Sequence, residues 1–172
     1  NSGTISVRSF TDAVGVYHAY QGSIVNSGLI EAISHAGNSI AILHYWSSYF
    51  TLQNSGTIRG DTAIYANLQY NDEHWITNTE TGVIDGDIWL EGAYDSIVNA
   101  GIIIGDIWLG DWADIYDASF GGSLTGLLQM GAGDDTVIGS DHDEQVEGGA
   151  GADNMDGGGG TDTLVYTTSD LG

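Results

Sequence analysis

The sequence contains no cysteine and no proline, and only Arg8 and Arg59 carry positive charge. Without cysteine, neither a disulfide nor a thiolate metal site can form. The shortage of cations excludes more. Nucleic-acid binding rests on neutralising phosphates with Lys and Arg, so no nucleic acid is expected as a partner. Anionic membrane surfaces and polyanionic substrates are disfavoured for the same reason. No apolar run approaches the roughly 20 residues of a membrane helix, so no membrane insertion is expected, and no signal peptide is evident. Signatures of hydrolytic or phosphate chemistry, H-E-x-x-H, G-x-S-x-G or a phosphate loop, are also missing.

What is present is acid, glycine and short apolar runs. The 172 residues include 24 Asp and Glu, giving a formal net charge of −22, together with 27 Gly. A chain this acidic repels itself unless cations gather on it, and a divalent metal is the direct remedy. Hydrophobic residues make up 41%, enough for one domain to bury a core. Alternating runs such as Ile40-Ala41-Ile42-Leu43 and Ile102-Ile103-Ile104 read as β-strands, and no amphipathic helix is found.

A loose repeat, apolar-x-Asn-x-Gly-x-Ile, covers residues 1–120. It is seen at Asn1-Ser2-Gly3-Thr4-Ile5, Val25-Asn26-Ser27-Gly28-Leu29-Ile30, Asn54-Ser55-Gly56-Thr57-Ile58 and Val98-Asn99-Ala100-Gly101-Ile102-Ile103. A variant with an insertion starts at Asn78. The motif glycines stand at 3, 28, 56, 82 and 101, steps of 25, 28, 26 and 19 that suit coils of a parallel β-helix. A second ladder, Asn38, Asp61, Asp87 and Asp106, follows glycine each time and reads as turn residues bonding nearby backbone, with a further metal line or a polysaccharide-facing edge as the alternative. Gly86-Asp87-Ile88-Trp89-Leu90 returns as Gly105-Asp106-Ile107-Trp108-Leu109, which predicts that Trp89 stacks on Trp108, in the core rather than on a sugar-binding face.

The last third is different. Four blocks of nine residues run from 130 to 165. Gly148-Gly149-Ala150-Gly151-Ala152-Asp153-Asn154-Met155-Asp156 and Gly157-Gly158-Gly159-Gly160-Thr161-Asp162-Thr163-Leu164-Val165 fit G-G-x-G-x-D-x-U-x, with U a large apolar residue. The blocks starting at Met130 and Gly139 fit more loosely, with His142 where Gly is expected and Glu144 in place of Asp. Coils of two blocks set position i against i+18, so Asp135 pairs with Asp153 and Glu144 with Asp162. Like carboxylates so placed repel unless a cation lies between them. Val137, Val146, Met155 and Leu164 fill a thin core.

These blocks resemble the calcium-binding nonapeptide repeat of RTX (haemolysin-type) proteins, and the upstream coils resemble parallel β-helix repeats of bacterial surface proteins. The resemblance implies Ca2+ as the bound ion, with the carbonyls of Gly131, Gly133, Gly149 and Gly151 serving a first site beside Asp135 and Asp153. It implies Gly139, Gly157 and Gly159 for a second, beside Glu144 and Asp162. It further implies type I secretion to an extracellular or cell-surface location and folding on contact with external calcium.

The expected architecture is all-β: a right-handed parallel β-helix over 1–120, a transition over 121–129, a calcium-binding β-roll over 130–166 and a frayed tail over 167–172, forming one continuous solenoid. The chain opens inside a repeat and lacks an initiator Met, which predicts a piece of a longer protein, near its C-terminal end. The expected role is a structural and export module without catalytic activity. Uronate-active β-helix enzymes need basic residues that this chain lacks, and no carboxylate pair marks a glycosidase. Two alternatives stand beside it. One is an adhesin or binder of cell-surface or extracellular polysaccharide, using aromatic residues among Trp46, Trp75, Trp89, Trp108 and Trp112, with His44-Tyr45-Trp46 and Tyr49-Phe50 as an exposed patch. The other is the tail of a secreted hydrolase. Arg59-Gly60-Asp61, an adhesion tripeptide elsewhere, reads better as one rung of the turn ladder.

Overall fold

The computed structural model describes residues 1–19, 21–45 and 49–166. Trp46 and the 167–172 tail lie outside them. Among the described residues there is no helix. Every strand pairs in parallel with a strand one coil away, and the chain winds into a β-solenoid of about 7 turns. The parallel solenoid expected from the repeats is the fold.

Three ladders run along the axis of the first part. The first joins Thr4–Ser9, Leu29–Ser34, the starts of Thr57–Asn78 and Val83–Asn99, Ile102–Ile104 and Ser123–Leu124. The second begins with Ala13–His18 and Ser39–Tyr45 and continues to Leu127–Gln129, Gln145–Glu147 and Thr163–Leu164. The third runs from Gly22–Asn26 and Tyr49–Asn54 through Ile115–Asp117 to Thr136–Ile138 and Asn154–Asp156.

One inward position in each ladder builds the core. Ile5, Ile30, Ile58, Ile84, Ile103 and Leu124 form one apolar column. Val16, Ile42, Ile64, Ile88, Ile107, Leu128, Val146 and Leu164 form the second. Ile24, Leu52, Ile76, Ile97, Tyr116, Val137 and Met155 form the third. Each fully buried aliphatic contributes about 1.5–3 kcal/mol. Because side chains alternate sides along a strand, the residues between these positions face outward.

Coil length falls before the number of ladders does. Thr4 pairs with Leu29, Leu29 with Thr57 and Thr57 with Val83, while Val83 pairs with Ile102 only 19 residues on. Register shifts between Arg59 and Ile64 and between Asn67 and Asp72 absorb most of the difference. Ser123–Leu124 is the last rung of the first ladder. Beyond it two ladders remain, and each residue pairs 18 positions on, as Gln145 does with Thr163. The interior thins accordingly, and Leu164 is 45% exposed.

The motif asparagines form a second core device that the sequence did not disclose. Asn1 Nδ2 donates to Asn26 Oδ1, Asn26 to Asn54, Asn54 to Asn78 and Asn78 to Asn99, at 3.0, 2.9, 2.9 and 3.0 Å. Asn26, Asn54, Asn78 and Asn99 are fully buried. The ladder ends where Asn99 Nδ2 donates to the Tyr116 hydroxyl at 3.3 Å. The partner glycine of the motif is required by packing. A Cβ on Gly56 would stand 2.1 Å from the Gly28 carbonyl oxygen, and one on Gly28 2.0 Å from that of Gly3.

Candidate metal centre

The 18-residue coils carry the predicted carboxylates into register along two edges of the roll. On one edge the Asp135 N–H donates to Asp153 Oδ1 at 3.2 Å; on the other the Glu144 N–H donates to Asp162 Oδ1 at 3.1 Å. Each carboxylate thus reaches back to the coil before it. Asp135 and Glu144 are buried, while Asp162, on the last coil, is exposed. Ser140 Oγ donates to Glu144 Oε1 at 2.6 Å. The other oxygens, Asp135 Oδ2 and Glu144 Oε2, are buried with no hydrogen-bond partner.

The glycines set the backbone against these carboxylates. Gly131 and Gly149 hold φ of 101° and 91°, a conformation glycine adopts without a side-chain penalty. A Cβ at Gly149 would lie 1.8 Å from the Gly131 oxygen, and one at Gly151 only 1.6 Å from the Gly133 oxygen. The carbonyls of Gly131 and Gly133 therefore crowd the next turn on the edge shared with Asp135 and Asp153. On the other edge Gly158 and Gly160 take this positive-φ conformation, facing the carbonyls of Ser140 and His142. Gly157 and Gly159 flank them. Gly139 and Gly157 make room for acid: a Cβ on either would meet Glu144 Oε2 at 3.0 Å or Asp162 Oδ2 at 2.4 Å.

Electrostatics point the same way. Burial, aided by the charges of Asp153 and Asp134, raises the Asp135 carboxyl above its ordinary range, against the pull of the Asp114 backbone N–H. Burial and the neighbouring Asp162 raise Glu144, against the Ser140 hydroxyl. An ionised carboxylate with an unpartnered buried oxygen is costly unless a proton or a cation sits there. Among the described residues no three His, Asp or Glu side chains converge into a ready cage. A cation here would need carbonyl oxygens beside each carboxylate pair. Such an all-oxygen set suits a hard ion, Ca2+ before Zn2+, so the residues present fit the implied metal.

The acid column extends further than the nonapeptides. The Asp114 N–H donates to Asp135 Oδ1, and the Asp95 N–H to Asp114 Oδ1, both at 2.8 Å. Asp95 Oδ2 and Asp114 Oδ2 are also buried without partners. Burial pushes the Asp114 carboxyl up to about 9, with Asp95, Asp135 and Asp111 adding to the effect. It raises Asp95 well above its ordinary value, against the His74 backbone N–H. At the upstream end His74 Nδ1 lies 2.5 Å from Asp95 Oδ1. Sequence reading did not find Asp114. The signal was present but degraded: Leu109-Gly110-Asp111-Trp112-Ala113-Asp114-Ile115-Tyr116-Asp117 keeps the spacing of the repeat with Leu and Trp at two glycine positions.

The expected aromatic patch loses members to the core, while the turn ladder forms as expected. His44 and Phe50 are fully buried and stacked, with ring centroids 4.7 Å apart, so they are no part of an exposed patch. Both sit on inward positions of their strands. His18 Nδ1 and His44 Nδ1 are 2.9 Å apart, and burial, then the nearby His74 and His18, lowers the His44 pKa to about 4. Trp89 does stack on Trp108, at 3.9 Å, but on the outer side of the second ladder and not in the core. Neighbouring Ile88 and Ile107 hold the inward positions. Arg59-Gly60-Asp61 is committed to the coil: Arg59 Nε pairs with Asp85 at 2.7 Å, and Asp61 Oδ2 accepts the Ser39 N–H and hydroxyl at 3.0 and 2.8 Å. Asp87 and Asp106 likewise accept the N–H groups of Asp106 and Leu127 at 3.0 and 2.8 Å.

No protein-family model matches the chain, and no curated protein or solved structure matches it either. The functional reading therefore stands on these residues and their geometry.

Proposed function

We propose that this chain is a calcium-binding structural module of a larger exported protein, folding as it meets calcium outside the cell and catalysing nothing itself. The observation that carries the reading is the pair of buried oxygens without partners, Asp135 Oδ2 and Glu144 Oε2, set beside stacked glycine turns. Asp135 and Asp153, with the carbonyls of Gly131 and Gly133, would hold one ion; Glu144 and Asp162, with Gly139 and the 157–160 turn, would hold another. Bound calcium supplies charge neutralisation between coils that otherwise repel. The unfolded chain has no preformed site, so binding free energy becomes folding free energy. With a net charge of −22, the ion-free chain resists compaction, which suits passage through a secretion channel from a low-calcium cytoplasm.

The test is a calcium titration followed by circular dichroism. Asp153→Asn should raise the calcium concentration at the folding midpoint at least several-fold. Asp61→Asn loosens a turn without touching a proposed ligand and should leave that midpoint near the wild-type value. Equal shifts, or folding indifferent to EDTA, would remove the basis of the reading.

A second reading has one observation behind it. Tyr94 and Trp112 lie 5.3 Å apart and are 45% and 40% exposed, and Trp75 is 57% exposed. Exposed aromatics of this kind suit sugar rings, so the module could also dock on polysaccharide at the cell surface. A glycan array with Trp112→Ala and Trp75→Ala decides it: binding that both variants retain counts against the aromatic face.

A further inference from the structure

Three unpartnered carboxylate oxygens lie along one edge of the solenoid, on Asp95, Asp114 and Asp135. The two proposed sites account for Asp135 but leave Asp114 Oδ2, on a residue 1% exposed, with nothing to bind. The turn preceding Asp114 is built like those of the roll. Gly110 has φ 92°, matching 101° at Gly131 and 91° at Gly149, and a Cβ on Gly131 would stand 1.8 Å from the Gly110 oxygen. The bridges of Asp111 to Ala132 and of Ala132 to Ala150 hold the three turns in one stack. Trp112 takes the place of Gly133 and Gly151. It keeps a φ of 95° found, among the described residues, in no other residue except glycine. A Cβ on Gly133 would lie 2.0 Å from the Trp112 oxygen. Gly110 therefore keeps the φ of the nonapeptide turns, while Trp112, like Gly151 but unlike Gly133, holds a positive φ that strains a bulky residue.

We infer that a third calcium site lies one coil upstream of the nonapeptide blocks, between the Gly110–Asp114 and Gly131–Asp135 turns, with Asp114, Asp135 and the Gly110 and Trp112 carbonyls as ligands. This rests on the calcium reading above. Asp135 leans towards this turn, since its Oδ1 accepts the Asp114 N–H. Upstream the column changes character, since His74 meets Asp95 Oδ1 there and only Asp95 Oδ2 stays unpartnered. The site couples roll to helix: the ion would bind across the coil in which the three-ladder and two-ladder parts join, so calcium taken up by the roll would also brace a turn outside the four nonapeptide blocks.

Calcium stoichiometry tests this on the full chain, by isothermal titration after EDTA treatment and dialysis. Wild type should bind three ions and Asp114→Asn two. The amide keeps an acceptor for the Asp95 N–H and has nearly the same shape, so the variant should fold. Wild type binding two ions, or the variant still binding three, overturns the third site while leaving the calcium reading intact. Wild type binding none overturns both. Anomalous scattering from a calcium-loaded crystal tests the site without a variant: density between Gly110–Asp114 and Gly131–Asp135 supports it, and density confined to the 130–165 blocks refutes it.

Discussion

Replacing Asn78 with alanine cuts the amide ladder at its middle. The side chain donates to Asn99 Oδ1, to the Gly82 oxygen at 3.2 Å and to the Ile102 oxygen at 3.3 Å, and it accepts from Asn54 Nδ2. All of this is out of water. At about 1 kcal/mol per hydrogen bond, with one donor of Asn54 left unpartnered, the loss is about 4 kcal/mol. For a chain of this length that lowers the thermal midpoint by about 8–16 °C. Asn1 makes similar bonds to Asn26, Gly3 and Leu29, but at an exposed end where water replaces them. Asn1→Ala should shift the midpoint by less than about 3 °C. Asn78→Asp should be at least as damaging as alanine, because a carboxylate would face the carbonyl oxygens of Asn99, Gly82 and Ile102 without a proton to offer. Thermal melts by circular dichroism at one saturating calcium concentration provide the comparison. If Asn1→Ala and Asn78→Ala melt together, or Asn78→Asp matches wild type, the ladder does not hold the coils as argued.

Further perturbations separate the remaining forces. The folded Asp114 carboxyl sits at about 9, far above its unfolded value, so its protonation favours the ion-free fold below the unfolded pKa and is lost as pH rises through 9. Calcium must displace that proton, so the calcium concentration needed to fold wild type should fall more steeply between pH 5 and 8 than that needed by Asp114→Asn; parallel pH dependences would contradict the burial argument. His44 has the opposite sign. Its folded pKa of about 4 lies below the unfolded value, so the fold is intact above about 6.5 and loses about 3 kcal/mol as pH falls to 4. Acid unfolding of His44→Phe should lack that component, and an unchanged acid limb would refute it. Gly56→Ala places a methyl 2.1 Å from a backbone oxygen, whereas Gly121→Ala meets nothing within 4 Å and suffers only its φ of 90°. Hydrogen exchange should show coils around residue 56 opening in the first variant, with the second losing no more than about 1–2 kcal/mol; the reverse order would be inconsistent with packing as the reason for the motif glycine.

Periodicity alone determined the parallel solenoid. Stacked coils need the same residue type at the same place in each turn, and a need of that kind leaves a spacing in the chain. Gly86-Asp87-Ile88-Trp89-Leu90 and its copy therefore disclosed the Trp89–Trp108 stack, and the nine-residue blocks disclosed the pairing of Asp135 with Asp153 and of Glu144 with Asp162. Which side of a strand faces inward was less legible, because Ile, Trp and Leu in succession are all apolar. Only the register of the ladders put Ile88 inside and Trp89 outside, and buried His44 and Phe50. The asparagine of the upstream motif was visible, but its amide-to-amide ladder depends on coils lying one strand spacing apart along the axis, a distance no linear spacing reports. Asp114 was hidden for a related reason. Its turn keeps Gly110 but carries Leu109 and Trp112 at the other two glycine positions, so the linear pattern is broken while the stacking that sets Asp114 against Asp135 is not.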